Sequence, residues 1–153
     1  IYRSVYSGGK WSGWNKMGTL KSTKTSWTDK SVKSGVKYKY TVKAVNGKTA
    51  STYKSSSSLL YLAQPKVAVK ALSNGIKVAW VQSTGATSYK IYRSEYNTKT
   101  KKWSSWKAIK TAKTTSKSYT DKTAKKGVKY RYTVKAVNGK TASTYKASSS
   151  VKR

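Results

Sequence analysis

Fifteen residues, Tyr40–Lys54 (YTVKAVNGKTASTYK), occur a second time without change at Tyr132–Lys146. Extending outward, Trp27–Ser58 matches Tyr119–Ser150 at 26 of 32 positions, at an offset of 92. Upstream, Ile1–Tyr6 (IYRSVY) matches Ile91–Tyr96 (IYRSEY) at an offset of 90, so the stretch between SGGKW and NTKTKKW must be a loop or hairpin tip. A chain copied at such a period folds as like modules in series. Residues 63–153 form one complete copy, whereas residues 1–62 contain nothing equivalent to Lys66–Lys90. The first copy is therefore expected to start at its third strand, with an open core, as part of a longer parent protein. Its missing strands would lie outside this chain or come from another chain by strand addition. Between the copies, Ser55–Pro65 (SSSSLLYLAQP) carries a serine run and the sole proline, which mark a module boundary.

Periodicity within the complete copy is that of strands. Lys66–Leu72 and Gly75–Val81 alternate apolar and polar residues around a Ser73-Asn74 turn. Ser88–Ser94 follows, then shorter candidates at Trp106–Thr111 and Lys117–Thr120. Lys129–Val137 is the clearest strand, and Asn138-Gly139 gives a type I′ hairpin signal into Lys140–Lys146. About seven short strands with regular turns predict an all-β, antiparallel β-sandwich. Tyr130, Tyr132, Val134 and Ala136 share one parity and, with Ile76, Val78, Trp80, Tyr89 and Ile91, make a candidate core.

These residues resemble a fibronectin type III module. The likeness rests on Pro65 before the first strand, Trp80 on the second, Gly85-Ala86 before Tyr89-x-Ile91, and Trp106-x-x-Ile109. Ala124-x5-Tyr130 matches the family's tyrosine corner and leads into Tyr132, Val134 and Ala136. In the first copy the equivalents are Trp14-x-x-Met17, Val32-x5-Tyr38, Tyr40, Val42 and Ala44. The resemblance implies tandem Ig-like sandwiches, the first lacking two strands, and is nearest to tandem modules of secreted or surface proteins of Gram-positive bacteria. It implies an extracellular or cell-wall location and, by itself, no specific activity.

Composition excludes most chemistry. There is no His and no Cys, so the chain offers no imidazole base, no thiolate and no nitrogen or sulfur ligand set for a transition metal. Asp29, Glu95 and Asp121 are the only carboxylates, too few for a calcium cage or a glycosidase pair within one module. Asp29 and Asp121, each in Thr-Asp-Lys, are expected to cap turns. The reading is of a protein without enzymatic activity or cofactor. No apolar run approaches the ~20 residues that span a bilayer, and no signal peptide is seen.

The net charge is +31, carried by lysine apart from Arg3, Arg93, Arg131 and Arg153. Lysine is a hydrated point charge, so this balance favours diffuse attraction to polyanions over geometric readout. Opposite to the core parity stand Lys129, Arg131, Thr133 and Lys135, and in the first copy Lys37, Lys39, Thr41 and Lys43. The neighbouring strand adds Lys90 and Tyr92, or Tyr2, while Trp103 and Trp11 sit beside the variable loop. In Trp103-Ser-Ser-Trp106 a continuous strand would send the rings to opposite faces, with Trp106 inside and Trp103 exposed.

A basic face bearing Tyr and Trp suits a cell-wall polymer, an anionic glycan or another polyanion. Alternatively the rings cover lysine stems and the lysines keep a β-module soluble. Sequence-specific nucleic-acid binding is not expected, because no recognition motif is present. Asn46-Gly47 and Asn138-Gly139 lie where some adhesive family members contact receptors, but the loop reads Val-Asn-Gly-Lys, with no acidic residue. The leading expectation is a non-catalytic spacer, display or adhesion segment of a larger surface protein. The competing ones are a polyanion-binding module and an assembly unit completed by strand exchange.

Overall fold

Alternation over Lys129–Asn138 leaves Tyr130, Tyr132, Val134 and Ala136 on one side of the backbone. In the computed structural model, which describes all of residues 1–153, this segment is the central strand of a β-sandwich, and no helix is present. The chain divides into two units, Ile1–Tyr61 and Leu62–Arg153. Unit 1 contains β1 (Tyr2–Ser7), β2 (Lys10–Trp11), β3 (Asn15–Lys16), β4 (Lys37–Thr41), β5 (Val45–Asn46), β6 (Thr49–Ala50) and β7 (Leu59–Leu60). Unit 2 contains β8 (Val67–Leu72), β9 (Gly75–Trp80), β10 (Ser88–Asn97), β11 (Lys102–Trp103), β12 (Lys107–Lys113), β13 (Ser118–Asp121), β14 (Lys129–Asn138), β15 (Thr141–Ala142) and β16 (Val151–Lys152).

Unit 2 is a complete antiparallel sandwich. One sheet has the order β13-β9-β8; the other runs β11-β10-β14-β15, with β12 also on β10 and β16 also on β14. Between them Ile76 and Val78 of β9, Tyr89 and Ile91 of β10, and Tyr130, Tyr132, Val134 and Ala136 of β14 are all buried. Trp80 closes one end, its ring centroid 5.5 Å from that of Tyr89 in the opposite sheet. The corner expected at Tyr130 forms, since its hydroxyl accepts a 2.9 Å bond from the Lys125 backbone N–H. Tyr38 accepts the same bond from Lys33 at 2.8 Å. Gly75 opens β9 where only glycine fits: a Cβ there would lie 2.5 Å from the Asp121 carbonyl oxygen.

Three expectations about local geometry are corrected. Register pairs Asn138 with Thr141, so the hairpin turns on Gly139-Lys140, and Gly139 alone takes a positive φ, +56°. That is the pattern of a type II′ turn rather than type I′. Asn138 stays on the ladder, and its amide donates to the Gly85 carbonyl at 2.7 Å. Next, β12 begins at Lys107, and its register against β10 shifts between Ile91 and Tyr92, leaving Ile109 as the extra residue of a bulge. Finally, the strand expected over Lys140–Lys146 ends at Ala142.

Serine ends it. The Ser143 backbone N–H donates to the Ala136 carbonyl at 2.8 Å while its Oγ accepts from the Ala136 N–H at 3.0 Å. Side-chain oxygen thus replaces a backbone carbonyl in the ladder. The same clip joins Ser148 to Tyr132 and Ser104 to Glu95. In unit 1 it joins Ser12 to Val5, Ser51 to Ala44 and Ser56 to Tyr40. These serines let a short edge segment leave regular pleating yet keep the central strand's N–H groups paired.

Unit 1 has one sheet of order β2-β1-β4-β7, with β3 also on β1, and a separate β5-β6 hairpin. Its last β1–β4 pair is Tyr2↔Thr41, so β4 stops five residues earlier than β14 despite identical sequence beyond Tyr40. Val42, with no strands like β8 and β9 of unit 2 to cover it, is 66% exposed where its copy Val134 is 0% exposed.

Candidate functional site

Residues of β10 and β14 on the parity opposite to the core meet in register as Lys90↔Lys135, Tyr92↔Thr133 and Ser94↔Arg131. Above them, rings and cations alternate. Lys129 Nζ lies 5.5 Å from the Tyr96 ring centre, and Tyr96 packs on Trp103 at 5.2 Å. Arg131 sits between two indoles, 4.5 Å from Trp103 and 5.1 Å from Trp106. Trp106 meets Tyr145 edge-on at 5.9 Å, and Lys135 lies 4.7 Å from Tyr145 and 5.6 Å from Tyr92.

Unit 1 repeats the ladder. Lys37 lies over Tyr6, Lys39 over Trp11 at 4.4 Å, and Lys43 over both Tyr2 and Tyr53. Tyr6 packs on Trp11, and Trp14 on Tyr53.

Of the residues singled out from the sequence, Tyr92, Trp103, Lys129, Arg131 and Lys135 therefore come together in unit 2, and Tyr2, Trp11, Lys37, Lys39 and Lys43 in unit 1. Lys90 is exposed, directly across from Lys135. Thr133 does not face solvent: it is buried, and its hydroxyl donates to the Lys146 carbonyl at 2.9 Å. The expected split of the tryptophans is also corrected. Trp106 is not in the core; both indoles are half-buried on the outer face, flanking Arg131. The Ser104 clip breaks strand geometry between them, so the parity rule does not carry from 103 to 106. Tyr96, Trp106 and Tyr145 were not recognised as part of this face, although each recurs in the first copy as Tyr6, Trp14 and Tyr53.

Cation–π contacts at exposed sites contribute about 0.5–1 kcal/mol each. Each ring of the ladder is already engaged by a neighbouring cation or ring, so a ligand would have to displace those partners. Lysine charge is a different matter. Both ion pairs of the protein use arginine, Arg3–Asp29 and Arg93–Asp121, so no lysine is ion-paired. Three lysine pairs stand directly opposed across strands, Lys90↔Lys135, Lys129↔Lys152 and Lys70↔Lys77, an arrangement of like charges that costs free energy.

A second constellation lies between the sheets. Asp121 is fully buried at the end of β13. Its Oδ1 accepts from the Thr123 N–H at 3.0 Å and hydroxyl at 2.7 Å, the turn-capping role expected of it. Its Oδ2 accepts from Arg93 and from the Tyr132 hydroxyl, both at 2.9 Å. Arg93 in turn lies over the Tyr130 ring at 5.1 Å. Unit 1 has the same set in Arg3, Asp29, Tyr40 and Ser31. In the sequence these arginines count only toward the net charge. The available signal was their scarcity: among 34 cations, arginine stands at the same place in both copies of IYRS. No three acidic, His or Cys side chains gather as a metal site.

Burial alone would raise the Asp29 pKa, but hydrogen bonds from Ser31, Arg3 and Tyr40 outweigh it and hold the carboxyl at about 2. For Asp121, too, the bonds from Thr123, Arg93 and Tyr132 overcome burial and the pKa is lowered. Burial and the adjacent carboxylate push the Tyr40 hydroxyl up to about 12 and raise Tyr132 as well. Both carboxyl groups are thus more acidic folded than unfolded. Their stabilisation is complete above the unfolded value near pH ~4 and is lost as pH falls through the folded values. With no histidine to titrate, the thermal midpoint should be level from pH ~8 to ~4.5 and fall below pH ~4. Asp121→Asn should flatten that fall for unit 2, as followed by calorimetry across pH.

No protein-family model matches the chain, and no curated protein matches it. Solved structures do. A Fn3-like protein from Clostridium thermocellum is 28% identical, covering 58% of this chain and 88% of that one, with a TM-score of 0.46. A segment of two fibronectin type III domains from chicken tenascin is 16% identical, covering 99% of this chain and 83% of that one, with a TM-score of 0.55. The fold is thus that of fibronectin type III-like β-sandwiches.

Proposed function

We propose that this chain is a non-catalytic spacer or display segment of a larger bacterial secreted or surface protein, acting outside the cell. The supporting observation is the cation–ring ladder, which both units build and which commits their aromatic surface to internal contacts. A face satisfied in this way stiffens a module and keeps it soluble without requiring a ligand.

A second reading, attachment to an anionic cell-wall polymer or glycan, is favoured by the opposed lysine pairs. Such attachment would be electrostatic and counterion-driven, with no need of stacking. Retention on an immobilised polyphosphate separates the two uses of this face. Diffuse attraction predicts elution by about 0.15–0.3 M salt, earlier for Lys90→Ala and Lys135→Ala and unchanged for Trp103→Ala. If Trp103→Ala weakens retention more than either lysine variant does, the rings are a ligand platform and the spacer reading fails.

A further inference from the structure

The ladder between β10 and β14 ends at Glu95↔Tyr130, whereas that between β1 and β4 runs one pair further, to Tyr6↔Lys37. Beyond Glu95 an open cleft of about 490 Å³ lies between residues 95–99 and residues 127–129 of unit 2. Lys99, Lys129 and Lys152 line it, together with Glu95, Tyr96 and Thr98. The two copies diverge at this spot. Glu95 stands where unit 1 has Val5, and Lys152 where it has Leu60. Lys99 belongs to a hairpin tip that in unit 1 is only Gly8-Gly9. Two positions that are apolar in one copy are thus charged in the other, around a single cavity.

These charges are held in place but not neutralised. Asn97 Oδ1 accepts from the Lys99 and Thr100 backbone N–H groups at 2.9 and 3.0 Å, which fixes the tip. The Tyr96 ring keeps the Lys129 amine beside the cleft, 5.5 Å from its centre. Lys152 is set directly across from Lys129, and like charges so placed repel. Glu95 alone of the three acidic residues has no ion pair, although three lysines border the same cleft.

We propose that this cleft binds a phosphorylated polyol or sugar, its phosphate taken by Lys99, Lys129 and Lys152 and a neighbouring hydroxyl by Glu95. Lysine binds phosphate as a rotatable point charge, and three lysines outnumber the one carboxylate. A bare anion gains nothing from Glu95 but repulsion. A carboxylate accepts and cannot donate, so the ligand has to bring a donor. A hydroxyl meets that need better than an ammonium, which would enter a cleft of net positive charge. The proposal rests on the attachment reading, for which it names the polymer's repeating unit. It uses lysines other than Lys90 and Lys135, so either can fail without the other.

Glycerol 3-phosphate titrated into the full chain at constant ionic strength, and followed by amide NMR, tests it. Saturable shifts are expected at residues 95–99 and 127–129, and none at their copies, residues 5–9 and 35–37. Inorganic phosphate should bind at least about fivefold more weakly, and glycerol not at all. Lys152→Leu installs the residue of unit 1 at an exposed position and should weaken glycerol 3-phosphate binding about tenfold. Glu95→Val should bring glycerol 3-phosphate and inorganic phosphate to equal affinity. No saturation by ~20 mM, equal binding of inorganic phosphate to the parent chain, or indifference to Lys152→Leu would each overturn the proposal. So would tighter binding of phosphoethanolamine, since an ammonium would then be what Glu95 selects. Lys90→Ala and Lys135→Ala leave the cleft whole, and their retention on polyphosphate reports separately on the attachment reading.

Discussion

Asp121→Ala is expected to destabilise unit 2 by about 3–5 kcal/mol, the cost of leaving one partner of a buried ion pair uncompensated. Four hydrogen bonds end on that carboxylate, and its side chain is 0% exposed. Without it, the Tyr132 hydroxyl loses its acceptor between the sheets and the Arg93 guanidinium loses its counter-charge, keeping only the Thr123 hydroxyl as acceptor at 2.9 Å. The Thr123 turn that closes β13 loses its cap as well. Asp29→Ala removes the same four bonds from unit 1, but there Tyr40 is half-exposed and water can replace what is lost. Its effect should be well under half as large. Denaturant unfolding of the two variants, with a tryptophan in each unit as probe, measures both.

Trp80→Ala should cost about as much, roughly 3–5 kcal/mol, as removal of a large buried aromatic does. Trp80 is 5% exposed and bridges the sheets through Tyr89. Its indole N–H, however, is buried without a hydrogen-bond partner. An unpaired buried donor carries a penalty of about 1–3 kcal/mol. Trp80→Phe removes that donor together with part of the ring. It is therefore expected to lie much closer to the parent than to Trp80→Ala in thermal and denaturant unfolding.

What could be read from the sequence was what depends on nearest neighbours along the chain. The alternation of Lys129–Asn138 placed its core residues, the spacing to Tyr130 placed the corner, and the two-residue offset between copies located a hairpin tip. That tip is two residues, Gly8-Gly9, in unit 1 and four, Thr98–Lys101, in unit 2. Contacts between segments distant in sequence were not legible in the same way. Arg93 meets Asp121 across the core, and nothing local distinguishes either from a surface charge. Trp106 was misplaced because parity holds only while pleating does, and Ser104 substitutes a hydroxyl for a carbonyl between the two indoles. The serine run Ser55–Ser58 has the composition of a boundary, yet Ser56 within it is clipped to Tyr40. The candidate face was recognised as basic and aromatic, but not that its cations and rings engage each other.

One sequence stands in two surroundings: a complete sandwich in unit 2 and a sheet with an uncovered face in unit 1. Tyr40–Ala44 and Tyr132–Ala136 are identical and both followed by Val-Asn-Gly-Lys, so the intrinsic exchange rates of the amides they share are the same. Peptides from the two would have equal mass, which makes residue-resolved hydrogen exchange by NMR the decisive measurement. Tyr132–Ala136 should exchange only through global opening of unit 2, and Tyr40–Ala44 through local opening, at least about 100-fold faster. Equal protection in the two copies would contradict the account, because the inner face of unit 1 would then be covered.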